Sequence, residues 1–295
     1  MQHKKSKGRA AFAVLPVHTK GISMKKKRVI LLLLGLSFLL SLAAVFYPLV
    51  SNMQAEKQRD TIVLSYQEAV HSNGAAQEAL SLAREYNYAL ANGQFAETDY
   101  NALLDPSHTG MMGFVTIPAI NVDLPIYHGT QSLELGAVHL QGTSLPVGGE
   151  SSHCVISAHS GMSSQKMFTD LDQLAVGDVF CLTVYGEKLS YQVDRILTVL
   201  PKETEFLQIE AGKDYCTLLT CTPYGVNTHR LLVRGHRIET TEESTIPDAP
   251  RKQSTWMQEY LRGIVYGVGI VAIVAVVILT AHLIQKRRKR KCVGK

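Results

Sequence analysis

The chain has 295 residues, room for one large domain or two small ones, with 30 basic and 25 acidic residues and a formal net charge of +5. The positive charge is confined to the ends. Residues 1–50 hold nine Lys/Arg and no acid, and residues 285–295 hold seven and no acid, so 14 basic residues face 25 acidic ones between them, a net of −11. A nucleic-acid binder carries its positive charge on the folded domain, so that class is excluded. Basic ends instead suit membrane edges, where they meet anionic headgroups.

Two apolar runs agree with this. Between Arg28 and Glu56 lie 27 uncharged residues, and between Arg262 and Lys286 lie 23. A spanning helix needs about 20 mostly apolar residues, so spans are expected at 29–50 and 263–284. Lys25, Lys26, Lys27 and Arg28 precede the first span, and Lys286, Arg287 and Arg288 open the basic tail after the second. Positive flanks stay on the cytoplasmic side. The expected topology puts 1–28 and 285–295 inside and everything between the spans outside the cell. Two alternatives stay open for the first run: a signal peptide cleaved near Ala43 and Ala44, and a chain start at Met24.

The interval from Met53 to about Phe95 reads as helical, rich in Gln, Glu and Ala, with a break at Ser72, Asn73 and Gly74. It is expected either to hold the folded domain that follows away from the bilayer or to pack on it. From Met112 the texture changes to short strand-like runs between turn residues. These are expected at 113–117, 124–127, 137–140, 153–158, 179–185, 189–200, 214–221 and 230–238, with a hairpin turn at Gly186 and Glu187 and one short helix at about 165–174. Eight short strands in so little chain predict a mostly β, closed or nearly closed barrel over 112–240. A polar linker at 241–262 then leads to the second span.

The chemistry concentrates in TLLTCTPYGVNTHRLLVRG, Thr217 to Gly235. Cys221 ends a strand, and a Pro-Tyr-Gly loop separates it from Arg230, which opens the next. A thiol at a strand end is held rigidly at the barrel rim, but with an ordinary pKa of about 8.5 it needs an activating partner. Across the loop, Arg230 offers fixed positive charge for an oxyanion. His159, at the end of the apolar run CVISAH, is a histidine placed to help. Read without further context, Cys221 is more commonly a small core residue, Arg230 an ordinary surface charge, and a single histidine such as His159 a structural or surface group. A zinc site of His153, Cys154, Cys216 and Cys221 lacks the usual ligand spacings. Cys216 and Cys221, an odd number of residues apart on one strand, point to opposite faces.

TLLTC followed by an arginine closely resembles the sortase signature. GFVTIPAINVDLPIYHGT, HLQGTSLPVGG, KMFTDLDQLAVGD and TCTPYGVNTHRLLVRGHRI are similar to the class C, pilus-assembling members. The likeness covers about Tyr86 to Ile238 and the two-span layout. It implies an eight-stranded sortase barrel, with Cys221 as nucleophile, His159 as acid/base and Arg230 as oxyanion or substrate stabiliser, and no metal or organic cofactor. It also implies the partners: a pilin precursor with an LPxTG-like sorting signal, and a nucleophilic pilin lysine. Many members carry an Asp-Pro-aromatic lid over the site. Here Asp105 and Pro106 are followed by Ser107, so a lid at 105–107 is expected with a weaker plug. The competing readings are a hydrolytic cysteine peptidase and a non-catalytic extracellular adhesion or sensing module.

Overall fold

A computed structural model describes residues 24–74, 76–94, 98–162, 164–239 and 254–293. The chain divides at Phe46 into two units. The first is the apolar start of helix α1 (Met24–Asn73), whose side chains at Leu36, Phe38 and Leu39 are exposed. The second holds everything else. α1 runs through Pro48 without a break and ends where expected, with Gly74 at φ +59 supplying the left-handed residue that stops a helix. α2 (Ala76–Ala91) buries Leu80, Ala83 and Asn87, one stripe of helical spacing. Asn87 clamps the main chain of Leu145, donating to its carbonyl at 3.1 Å and accepting its N–H at 2.6 Å.

All eight expected strands form: β1 (Met111–Ile117), β2 (Val122–His128), β3 (Ala137–His139), β4 (Ser152–Ser157), β5 (Val179–Val184), β6 (Glu187–Val199), β7 (Asp214–Thr222) and β8 (His229–Ile238). They close into a barrel in the order β1-β2-β3-β4-β7-β8-β6-β5. β2/β3 and β4/β7 pair parallel and the other neighbours antiparallel. Side chains alternate across a strand, and the core takes one parity from each. β4 contributes Cys154 and Ile156, β7 Cys216 and Leu218, and β8 Leu231 and Val233. Gly235 shares that inward parity. A Cβ there would meet the Phe180 ring at 2.8 Å and Tyr191 Cβ at 3.0 Å, so two stacked aromatic rings occupy the space a side chain would need.

Three expectations shift. The β5–β6 turn is Tyr185-Gly186, one residue earlier than read, with φ of +48° and +84° as a two-residue hairpin of this hand requires. At 165–174 there is only a 3-10 turn, Leu171–Gln173. Met167 at φ +41°, together with the Phe168 N–H donated back to the His159 carbonyl at 3.0 Å, breaks the helical run. Of the linker expected at 241–262, residues 241–253 lie outside the described residues. From Thr255 the chain is already helix α3 (Thr255–Val293), because Trp256 is buried on the barrel.

Strand directions define two rims. One gathers the C-terminal ends of β1, β4, β6 and β7 with the N-terminal ends of β2, β3, β5 and β8. The other gathers the opposite ends.

Candidate active site

Cys221 and Arg230 are directly opposed in the antiparallel β7–β8 ladder, so their side chains leave the sheet on the same side, with Cβ atoms typically about 4.5–5.5 Å apart. The core takes Leu218 and Leu231, which fixes that side as outward. β4 and β7 run parallel in the register Ile156↔Leu218, Ser157↔Leu219. The Ala158 N–H extends this ladder by donating to the Leu219 carbonyl at 3.2 Å. One step further, the same register sets His159 beside Cys221, and His159 has the outward parity because Ala158 is core. Thr220 Oγ1 donates to the Ala158 carbonyl at 2.8 Å, and the Ser160 hydroxyl donates to the Cys221 carbonyl. The three side chains therefore leave the same outer face of the sheet at adjoining strand ends, and not the barrel mouth. The interior there is filled by their inward neighbours.

The electrostatics leave positive charge free. Arg230 Nη1 donates to the carbonyls of Asn227 at 3.3 Å and His229 at 3.1 Å, which holds the 222–229 loop. Among the described residues no ion pair engages Arg230, so its charge is not cancelled by a carboxylate. His159 is about a third exposed (32%), and its Nε2 lies 3.5 Å from Glu134 Oε1. Glu134 is 73% exposed, so the pair holds the ring only weakly, by about 0–1 kcal/mol. Glu134 was not identifiable beforehand as part of the site, whereas Ser160 stands out as the residue directly after His159. Glu134 is far from His159 in sequence, and no local pattern links the two.

The segment that follows His159 is held from two sides. Asn52 Oδ1 of α1 accepts the Lys166 N–H at 3.0 Å, and Arg59 donates to Gln165 at 3.1 Å. From α3, the Trp256 N–H donates to Asp170 at 3.2 Å and the indole N–H to the Met162 carbonyl at 3.2 Å. Lys166 and Asp170 close the arrangement with an ion pair at 2.9 Å, the carboxylate being buried.

The sortase domain model matches residues 115–238, the barrel with this Cys/His/Arg cluster. Sortase C1 of Streptococcus agalactiae is 44% identical in its crystal structure, with a TM-score of 0.58, and the alignment covers 61% of this chain and all of that one. The chain belongs to the sortase family. Its solved neighbours place it in class C. A structure of Clostridium perfringens sortase C with the C-terminal cell wall sorting motif is 45% identical, with a TM-score of 0.55 over 61% of this chain and 99% of that one. Among curated relatives, sortase A of Streptococcus agalactiae serotype III (strain NEM316) is 26% identical over 223 residues, 74% of this chain and 88% of the relative. This sortase is accordingly a cysteine transpeptidase.

The expected lid of the sortase is not where the site is. Residues 105–110 lead into the N-terminal end of β1, the rim opposite to the one where β7 ends at Cys221. Asp105, instead of meeting Arg230, accepts the N–H groups of Thr109 and Gly110 at 3.0 Å each. Pro106 is buried and Ser107 bonds Thr109 at 2.7 Å. The tripeptide is a self-capped turn under β1. Strand parity also separates the four residues weighed as zinc ligands: His153 and Cys221 face outward, Cys154 and Cys216 inward. His153 has structural partners, the Gln208 carbonyl at 2.9 Å and Thr217 Oγ1 at 2.7 Å, and burial lowers its pKa. His139 is likewise structural, bonded to Tyr100 and the Ser144 carbonyl at 2.9 Å each.

Proposed function

We propose that Cys221 is the nucleophile, His159 the acid/base and Arg230 the oxyanion stabiliser of a pilus-assembling transpeptidation. The observation that carries this reading is the Cys221↔Arg230 pair on the outer face, with His159 two residues beyond the end of β4 and in line with its register. Cys221 Sγ attacks the Thr carbonyl of an LPxTG-like sorting signal, forming a C–S bond as the Thr–Gly C–N bond breaks. His159 gives its proton to the leaving amine. Arg230 bears the negative charge that develops on the carbonyl oxygen. A lysine amine of a second pilin subunit then attacks the thioester, a C–N isopeptide bond forms, and the thiolate leaves while His159 takes the amine proton. That a class C neighbour was solved with a cell wall sorting motif supports the substrate class.

Two described helices, Gly35–Ser72 and Thr255–Val274, are long and apolar enough to cross a membrane. We read them as anchors, with both termini cytoplasmic and the barrel outside the cell, on the charge asymmetry of their flanks.

The test is incubation with a pilin bearing the sorting signal, followed by intact mass measurement and gel analysis. The native protein is expected to give a thioester adduct and a ladder of covalent polymers, and Cys221→Ala neither. Adduct followed only by free acid would make the protein a hydrolase. Polymers persisting in Cys221→Ala would sink the assignment.

A further inference from the structure

Five large apolar side chains outside the three helices are exposed among the described residues: Leu135 (55%), Val176 (67%), Leu200 (50%), Tyr224 (39%) and Val226 (64%). All five lie on one rim. Leu135 precedes β3, Val176 precedes β5, Leu200 follows β6, and Tyr224 and Val226 lie between β7 and β8. That is the rim of Cys221. On the opposite rim, the loops at 105–110, 140–151 and 185–186 expose no large apolar side chain among the described residues. Scattered single apolar residues are ordinary on a protein surface, but a set gathered on one end marks an interaction surface.

The roots of both apolar helices reach this same rim. Asn52, bonded to Lys166 in the loop after His159, comes two residues after Val50, the end of the first apolar run. Trp256, bonded to Asp170 and Met162 in that same loop, precedes the second run at Gly263 by seven residues, about 10 Å of helix at 1.5 Å per residue. Trp256 stacks on Tyr260 with ring centroids 5.9 Å apart, which carries the packing one helical turn further toward the second run.

We propose that the Cys221 rim is a lipid-binding surface. Leu135, Val176, Leu200, Tyr224 and Val226 rest in the headgroup region, so that Cys221 works on peptide lying along the membrane. The occupant is the bilayer because, at Asn52 and at Trp256, the chain bonded to this rim is only a few residues from an apolar run. Apolar groups seated in a bilayer interface are buried about 5–10 Å deep, within reach of side chains one to three residues beyond a strand end. The inference rests on the reading of α1 and α3 as anchors, but it is a separate statement: a protein anchored by two helices can equally hold its barrel clear of the lipid.

The experiment uses the full chain in phosphatidylcholine/phosphatidylglycerol nanodiscs, in a Cys221→Ala, Cys292→Ser background. Cys154, Cys181 and Cys216 are at most 2% exposed and stay unlabelled. A fluorophore is attached at Val176→Cys, at Val226→Cys, or at Glu150→Cys, an exposed position on the opposite rim, and nitroxide-bearing lipid is the quencher. Several-fold stronger quenching at position 176 or 226 than at 150 is expected. The two rim positions guard against one variant misfolding. Equal quenching at all three, or none at either rim position, overturns the proposal. Co-flotation of the same samples with lipid separates the readings: a chain that floats with unquenched rim labels is anchored but not docked, whereas one that does not float refutes the anchors themselves.

Discussion

The main-chain N–H of Trp256, at the start of α3, donates to the buried carboxylate of Asp170 at 3.2 Å. A helix that leads into an apolar segment is thereby tied to the loop that follows His159. The indole N–H adds a second bond, to Met162. Trp256→Ala is expected to lower stability by about 3 kcal/mol, since it empties a nearly buried site, and to reduce kcat of acyl transfer through the loosened loop. Trp256→Phe keeps the packing and loses one hydrogen bond, about 1 kcal/mol, and is expected to restore most of kcat. Thermal unfolding in nanodiscs with steady-state kinetics reads both, and equal loss of kcat in the two variants would remove Trp256 as a positioning residue.

Arg230→Lys keeps a positive charge opposite Cys221 but loses the planar fork. Loss of one oxyanion donor typically costs about 10²–10³ in rate, so acyl-transfer kcat is expected to fall by that order. Alkylation of Cys221 by a small thiol reagent, which develops no oxyanion, is expected to change far less. A variant that keeps full kcat argues against the role.

His153 supplies a pH dependence. Burial lowers its pKa from an ordinary 6.5. Above about pH 6.5 the ring is neutral in the folded and the unfolded chain, and its contribution is fully present. As pH falls below that value the unfolded chain takes up the proton first, so stability drops until the folded ring also titrates. His153→Gln is expected to flatten this acid slope while lowering stability at pH 7 through lost bonds to Gln208 and Thr217. Unfolding midpoints at pH 7 and pH 5 for both proteins give the comparison. Parallel acid slopes would exclude His153 as the source.

Asp105→Ala separates a lid from a turn. With Asp105 capping the N–H groups of Thr109 and Gly110 on the far rim, the variant is expected to leave the alkylation rate of Cys221 unchanged. It should cost about 1–2 kcal/mol of stability through the lost bonds. Faster alkylation would restore the lid.

Much of this was legible in the sequence because it is local. Each strand announced itself by a short β-rich run between turn residues, and Cys221 with Arg230 by a loop short enough to make them hairpin neighbours. The helix break followed from the turn residues Ser72, Asn73 and Gly74. The misreadings share one cause. A helix at 165–174 and a linker running to 262 were judged by local composition, whereas partners further along the chain decide those segments: His159 for Phe168 and Asp170 for Trp256.

By itself, then, the amino-acid order determined the eight strands, the charged ends flanking apolar runs, and the residue types able to do thiol chemistry. Only the closed barrel decided which way those residues face. Pairing β4 with β7 in parallel and β7 with β8 in antiparallel register turns Cys154, Cys216 and Leu231 inward, so Cys221, His159 and Arg230 must point out. A side chain's face is a two-residue period fixed by what fills the core, and which strands share that core is a property of the assembled sheet.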